Sequence, residues 1–428
     1  MLRVRPDDAK PGLELAMSVF HPKSHDTLLL RAGVVLTERA VDRLRDLHIP
    51  EVWVSYPRLA GVSDFVSPQI ESNRAMVTRD IAEAFDMAGA SMHARLEYNA
   101  YESAVESLMR SLRENPKANV FMTNLVDSGQ PAVRHAASVC YLSLLMGLRL
   151  GPYLERERPK LSPEVAREIQ SLGVAAMMHD IGVTQLPKEV VERYARTLDE
   201  TDEAWREHVQ IGYAMVRGNL DPTAAAAVLH HHQRFDGSGF PTRTTAQGEE
   251  LAGKGRDIHI FARIIAAANL YDGLMHPASV LGSDDGVHGT FPSVRALKQM
   301  LEPPCRGWTD PFVFAALLSV CPPYPPGSLV TLNDRQRVAV ESWDPREPCR
   351  PVVVEYREGE DTDTAAHRPS IDLRERPELW IAKIDGHDVS ADNFPGSLIP
   401  ERYREGEPLV PGEAEPNTRR DGPSPRAA

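Results

Sequence analysis

A chain of 428 residues is too long for one ordinary domain and points to two or three. With 42% hydrophobic and 25% charged residues it can bury a core. A formal charge of -13 with no dense basic run excludes a general DNA binder or a protein held on an anionic membrane. An anionic substrate would need local help from metal ions or a few placed arginines.

The N-terminus, MLRVRPDDAKPG, has no apolar leader-like run, and no stretch reaches the ~18 uninterrupted apolar residues of a membrane span. The four cysteines, Cys140, Cys305, Cys321 and Cys349, form no CxxC pair, so neither a disulfide framework nor a thiolate zinc site is indicated. These features predict a soluble, cytoplasmic protein in a reducing compartment.

Residues 1–66 alternate short apolar runs such as Val52-Trp53-Val54 with turn residues, and Thr37 stands as N-cap before a helical stretch. A small α/β regulatory module, separate from the rest of the chain, is expected here. Residues 67–120 are helical in pattern, with apolar positions at Ile81, Phe85, Leu96, Val105, Leu108 and Leu112. Such a connector could form a homodimer, carry a signal, or pack on the next domain.

Residues 121–320 read as helix after helix, broken at Pro152, Pro163, Pro187 and Pro222. The composition changes at Cys321-Pro322-Pro323, and β-like runs such as Pro351-Val352-Val353-Val354 predict a small β-rich appendage over 321–385. The proline-rich, polar remainder, 386–428, is expected to be disordered. No internal repeat is visible.

Four pieces of the helical region concentrate metal-ligand residue types. They are His135 at the start of an apolar helix, His179-Asp180 closing the helix from Leu172, His208, and His230-His231-His232 before Asp236-Gly237-Ser238-Gly239-Phe240-Pro241. Taken singly, His135 and His208 read as hydrogen-bonded polar residues of their helices. His179-Asp180 is more specific, because a charged pair at the end of a buried helix needs a partner and a metal supplies one. In the last piece Gly237 and Gly239 permit a tight turn beside a ligand, and Pro241 restricts the exit.

In combination these pieces resemble the HD-GYP subgroup of the HD phosphohydrolase superfamily, whose order is His, then HDIG, then His, then HH before a DG-G-P turn. The resemblance covers roughly residues 125 to 320. The N-terminal module and the Tyr324-Pro325-Pro326-Gly327 segment are also similar to regions that flank such domains. It implies a mainly α fold, an all-helical HD-type core with the small α/β module before it and the β-rich appendage after it. The activity implied is hydrolysis of the bacterial second messenger cyclic di-GMP to pGpG, GMP or both, in signal transduction.

By the same resemblance His135, His179, Asp180, His208, His231 and His232 fall on the metal ligands, with His230 just outside the pattern. Asp180 would bridge two divalent ions, His135 and His179 holding one and His208, His231 and His232 the other. A mixed imidazole and carboxylate set without thiolate suits iron or manganese. Two ions about 3.5–4 Å apart would acidify a water to a hydroxide that attacks phosphorus in line, which makes Asp180 and His179 the central catalytic pair. Asp236, Gly237, Gly239, Phe240 and Pro241 would shape the guanine end of the site and could face protein partners, and Arg263 is carried over as a substrate contact.

The chain departs from the family pattern at several positions. Asn269 stands where a last aspartate ligand is expected, so its carbonyl would coordinate without charge, while Asp272 could orient a ligand. Val183 replaces the lysine after HDIG, Phe240 the tyrosine of GYP, and Gln233 the glutamate after the paired histidines. No arginine run follows Asp272 in Gly273 to Ser279, and Pro131 removes a carboxylate that a third ion would use. Two readings therefore compete with the phosphodiesterase. One is a catalytically weak cyclic di-GMP receptor, the other an HD phosphohydrolase for a different phosphoester.

Overall fold

The computed structural model describes residues 1–398 apart from 22–23, 48, 50, 119, 121–129, 245–249, 277–290 and 358–367. The first segment carries β1 (Leu2–Val4), β2 (Val19–His21), β3 (Ser24–Leu30), α1 (Glu38–Asp46) and β4 (Val52–Val54). Helices α2 (Pro68–Ala90), α3 (Tyr98–Glu114), α4 (Pro131–Arg149), α5 (Gly151–Glu157), α6 (Pro163–Ala166) and α7 (Gln170–Met178) follow. Next come α8 (Lys188–Thr197), α9 (Glu203–Val216), α10 (Pro222–His230), a small hairpin of β5 (Arg243–Thr244) and β6 (Glu250–Leu251), and α11 (Ile260–Met275). The last helices are α12 (Ser293–Leu301) and α13 (Pro311–Val320). Then come β7 (Leu329–Leu332), β8 (Arg337–Ser342), β9 (Val352–Glu355), β10 (Ser370–Asp372), β11 (Ile381–Ile384) and β12 (His387–Asp388).

The prolines that interrupt the helical pattern mark helix starts. Pro163 and Pro222 open α6 and α10, Pro152 lies in the first turn of α5, and Pro187 caps α8. There a missing N–H costs nothing and the fixed φ suits the helix. Asp221 completes the start of α10 by accepting from the N–H groups of Thr223 and Ala224.

Helix α4 is the centre of the helical part, buried almost continuously from Val133 to Gly147 and packed between α7 and α11. It is followed by an 87° bend into α5. Among the described residues no single helix is long and apolar enough to cross a membrane, although this bent pair reaches the required length and composition.

The region expected as a connector is part of the core. Ile81, Phe85, Leu96, Val105, Leu108 and Leu112 are buried in the same apolar cluster as α4 and α7. A Cβ at Gly173 would stand 2.5 Å from a methyl of Val105, which shows how closely α3 and α7 approach. The apolar face that could have joined two chains is thus used inside one.

The β-rich C-terminal region packs on the helical cluster with one face and on the N-terminal residues with the other. Its six antiparallel strands run in the order β10-β9-β8-β7-β11-β12. On β8, Val338 and Val340 face the helical cluster while Ala339 faces a second cluster with Leu2, Val4, Trp53 and Val54. The two-residue period of a strand sends alternate side chains to opposite faces, so the sheet is buried on both.

The N-terminal module packs on this sheet. Arg3 pairs with Ser328 in a parallel bridge, and its side chain reaches Asp385 at 2.6 Å and Glu51 at 3.1 Å. The β1–β4 ribbon is too small to bury its own faces and uses the C-terminal sheet to do so. The expected disordered tail also begins later than Asp385, since Val389 and Phe394 are buried against the sheet. Residues 399–428 lie outside the described residues.

Candidate metal centre

Each histidine of the predicted set sits at a helix end or a buried helix face. His135 is in the first turns of α4, His179 caps α7, His208 is on the buried face of α9, and His231 caps α10. Asp180 follows at the start of a 3-10 turn, Ile181–Gln185. Four helices therefore deliver these side chains to one point, and the fifth, α11, brings Asn269 and Asp272.

Gly182 allows this convergence. A Cβ there would lie 2.0 Å from the carbonyl oxygen of His208 and 2.6 Å from the amide nitrogen of Gly212. Only a residue without a side chain lets the turn after Asp180 lie directly on α9. Gly239 does the same for the loop after His232, where a Cβ would meet the His232 oxygen at 2.3 Å.

The two carboxylate oxygens of Asp180 face different histidines. Oδ2 lies 3.4 Å from His179 Nε2 and 3.7 Å from His135 Nε2, while Oδ1 lies 3.3 Å from His231 Nε2 and 3.6 Å from His208 Nε2. Two candidate cation clusters result, one of His135, His179 and Asp180, the other of Asp180, His208, His231 and His232. Asn269 Oδ1 is 2.9 Å from His135 Nε2, beside the first cluster.

The outer ring nitrogens fix which lone pairs face inward. Nδ1 of His179 donates to the Ala176 carbonyl at 2.8 Å, that of His208 to Trp205 at 2.7 Å, and that of His231 to Val228 at 2.7 Å. A carbonyl only accepts, so Nδ1 carries the proton and Nε2 presents a lone pair to the centre. Nδ1 of His135 is held instead by Asp272 Oδ2, at 2.7 Å.

The residues fit a metal pair. His135 Nε2 and His179 Nε2 face each other at 3.3 Å, both as lone pairs, an arrangement that a cation between them relieves. Asp180 Oδ1, His208 Nε2 and His231 Nε2 are buried without a hydrogen-bond partner among the described residues. Buried polar atoms left unpaired in this way are costly, and metal ligation accounts for all three.

The electrostatics agree. Burial would raise the Asp180 carboxyl, but the charge of His179 first, with His231 and His208 close by, holds it well below the usual range. Burial, helped by neighbouring His232, lowers His208 to about 4 and holds His231 well below its usual value, so both offer neutral imidazoles. His179 is the exception, since burial pulls on it but the Asp180 charge outweighs this and raises its pKa, favouring the protonated ring.

The loop after the paired histidines closes one side. Phe240 is buried and stacks on His232, with ring centroids 4.5 Å apart and planes at 14°. Arg206 lies over that ring at 4.9 Å. Asp236 is exposed, and its Oδ1 accepts from the Ser238 N–H at 2.9 Å, shaping the turn through Gly237, whose φ is +87°. Gln233 donates to the Pro241 carbonyl at 2.6 Å and accepts from the Gly253 N–H at 2.9 Å, so its amide uses a donor that a glutamate lacks. Val183 packs beside the cluster of Leu186, Val190, Tyr194 and Trp205.

Arg263, expected as a substrate contact, is engaged elsewhere. Its guanidinium is buried on the far part of α11 and bonds Asp310 at 2.5 Å, Tyr153 at 2.9 Å and the Glu157 carboxylate. A buried cation needs such partners, and these three engage its guanidinium. His230 is in neither cluster.

One residue near the centre was not foreseen. Glu200, in the loop before α9, lies 3.5 Å from His232 Nδ1 and 2.5 Å from Arg234. Burial would raise its carboxyl, but His232 and Arg234 hold it at about 2. It stands 32 positions before His232 in a polar stretch, which gives no periodicity or motif to find it by.

Comparison with known proteins places this geometry in context. Residues 159–285 match the HD domain family model. The chain is 25% identical over 333 residues to a cyclic di-GMP phosphodiesterase of Pseudomonas aeruginosa, covering 71% of this chain and 72% of that one. It is 30% identical over 111 residues to a cyclic di-GMP phosphodiesterase response regulator of Xanthomonas campestris, covering 25% of this chain and 27% of that protein. A solved HDGYP-type protein from Bdellovibrio bacteriovorus aligns over 74% of this chain and 97% of its own, with 16% identity and a TM-score of 0.41.

Proposed function

We propose, for a chain that carries an HD domain, hydrolysis of cyclic di-GMP to pGpG, GMP or both at a two-metal centre of iron or manganese. The observation that carries this reading is the Asp180 carboxylate, whose two oxygens face two separate groups of inward-pointing imidazole nitrogens. A pair of cations bound there supplies an acidified water as nucleophile and neutralises charge on the phosphodiester.

The chain's own residues do the rest. Asp180 holds both clusters at a fixed separation. The backbone carbonyls of Ala176, Trp205 and Val228 keep the imidazoles oriented before substrate arrives, so no reorganisation is needed at the moment of reaction. Arg206, over the Phe240 ring, supplies the positive charge near the loop that Arg263 does not. The turn from Asp236 to Pro241 shapes the purine end of the site.

Asn269 favours a second reading. It adds no charge at the position of the last ligand, which weakens the first cluster and would suit a receptor that binds the nucleotide without cutting it. Turnover separates the two. Protein loaded with iron or manganese and given cyclic di-GMP is expected to release pGpG or GMP, detected by chromatography, and His231→Ala to stop this. Full metal loading with nucleotide binding and no product would contradict hydrolysis and support the receptor.

A further inference from the structure

Five imidazoles converge on Asp180, and what holds their outer nitrogens differs. Those of His179, His208 and His231 each donate to the carbonyl three residues earlier in their own helix. Those of His135 and His232 face carboxylates brought from elsewhere in the chain, Asp272 and Glu200. Each candidate cation cluster therefore contains one carboxylate-backed imidazole.

We propose that Glu200 is the positioning residue for the second metal ion, orienting His232 so that its other ring nitrogen ligates. This inference rests on the two-metal reading of the centre. The Glu200 carboxylate is only 30% exposed and is fixed from behind by Arg234, whose guanidinium lies 3.2 Å over the Trp308 ring. The Glu200 backbone is fixed too, since its carbonyl accepts from Arg206 Nε at 2.6 Å. His232 is meanwhile held flat by Phe240. A carboxylate behind an imidazole fixes its tautomer and raises its basicity toward a metal. The second anion also compensates a centre in which Asn269 contributes no charge.

The test uses the full chain loaded with cobalt(II), whose visible bands report the ligand set, and chelator competition to rank the ions. Glu200→Ala is expected to weaken one of the two ions by about 10- to 100-fold and to change the cobalt bands, while the other ion stays bound. That retained ion shows the fold is intact. Glu200→Gln, which keeps an acceptor oxygen, should lose less. His232→Ala should match Glu200→Ala, and the double variant should be no worse than His232→Ala alone, because both act through one imidazole.

Both ions retained at wild-type affinity in Glu200→Ala, or losses that add in the double variant, would overturn the proposal. A wild-type chain that binds no cobalt would bring down the two-metal reading together with it. Two ions bound without nucleotide turnover would overturn the phosphodiesterase alone, and the Glu200 results would stand.

Discussion

Asp272 accepts a 2.7 Å hydrogen bond from His135 Nδ1, and this pair sets the direction of the one imidazole that enters the centre from α4. Both side chains are 1% exposed, so neither has water to substitute for the other. Asp272 is also held ionised, since hydrogen bonding and charge from His276 and His135 outweigh its burial. Asp272→Asn is expected to lower metal affinity by about 10- to 100-fold, because an amide does not fix the ring tautomer as an anion does. Chelator competition measures this, and unchanged affinity would mean that His135 is oriented by packing alone.

Asn269→Asp is expected to act in the opposite direction. Its Oδ1 is 2.9 Å from His135 Nε2, so the added charge falls beside the first cluster. Metal affinity should rise by roughly 10-fold or more. Calorimetric titration with manganese checks the sign, and no gain would place the side chain outside the ligand set.

Gly182→Ala should damage both fold and site. The new methyl would have to share space with the His208 carbonyl, 2.0 Å away, and backbone cannot yield as a flexible side chain does. A loss of about 1–3 kcal/mol is expected from overpacking, measured by urea denaturation, together with weakened metal binding as α9 shifts.

Gln233→Glu tests why this chain carries an amide at a buried position. The substitution leaves the Pro241 carbonyl without its 2.6 Å donor and sets two acceptors against each other. Destabilisation of about 1–3 kcal/mol is expected. Hydrogen exchange of the Phe240 and Gly253 amides should report the loosened loop.

His259 gives a pH dependence independent of the metal centre. Its Nδ1 caps α11 by accepting from the Phe261 N–H at 3.2 Å. Burial, with Arg158 and Arg263 nearby, lowers its pKa from 6.5 to about 4. Between those values the unfolded chain binds the proton and the folded chain does not, so stability falls as pH drops through this window and is complete above it. His259→Asn retains a capping side chain and should reduce that fall, seen as a smaller wild-type-minus-variant difference at about pH 5 than at about pH 7.

The histidine and aspartate cluster was legible because each piece is short and sits where a helix ends, so His179-Asp180 and His231-His232 carry their own context. The breaks between helices were legible too, at Pro163 and Pro222, which turn out to open α6 and α10. What pairs across long separations was not. Arg263 is set by Asp310 and Glu157, Glu200 is set by His232 and Arg234, and nothing local to any of them announces the partner. The apolar stripe of α2 and α3 looked equally suited to another chain or to its own core, since periodicity gives a face but not what covers it. The alternation on β8 reads as a strand buried on both faces only once the N-terminal module is seen against it.

The measurement closest to the central claim is metal content of Asp180→Ala against wild type, on anaerobically purified, manganese- or iron-loaded protein with helical content followed by circular dichroism. If Asp180 bridges both clusters, wild type carries two ions per chain and the variant loses both while remaining helical. A folded variant that keeps its metal would contradict the bridging role, and with it the two-metal centre.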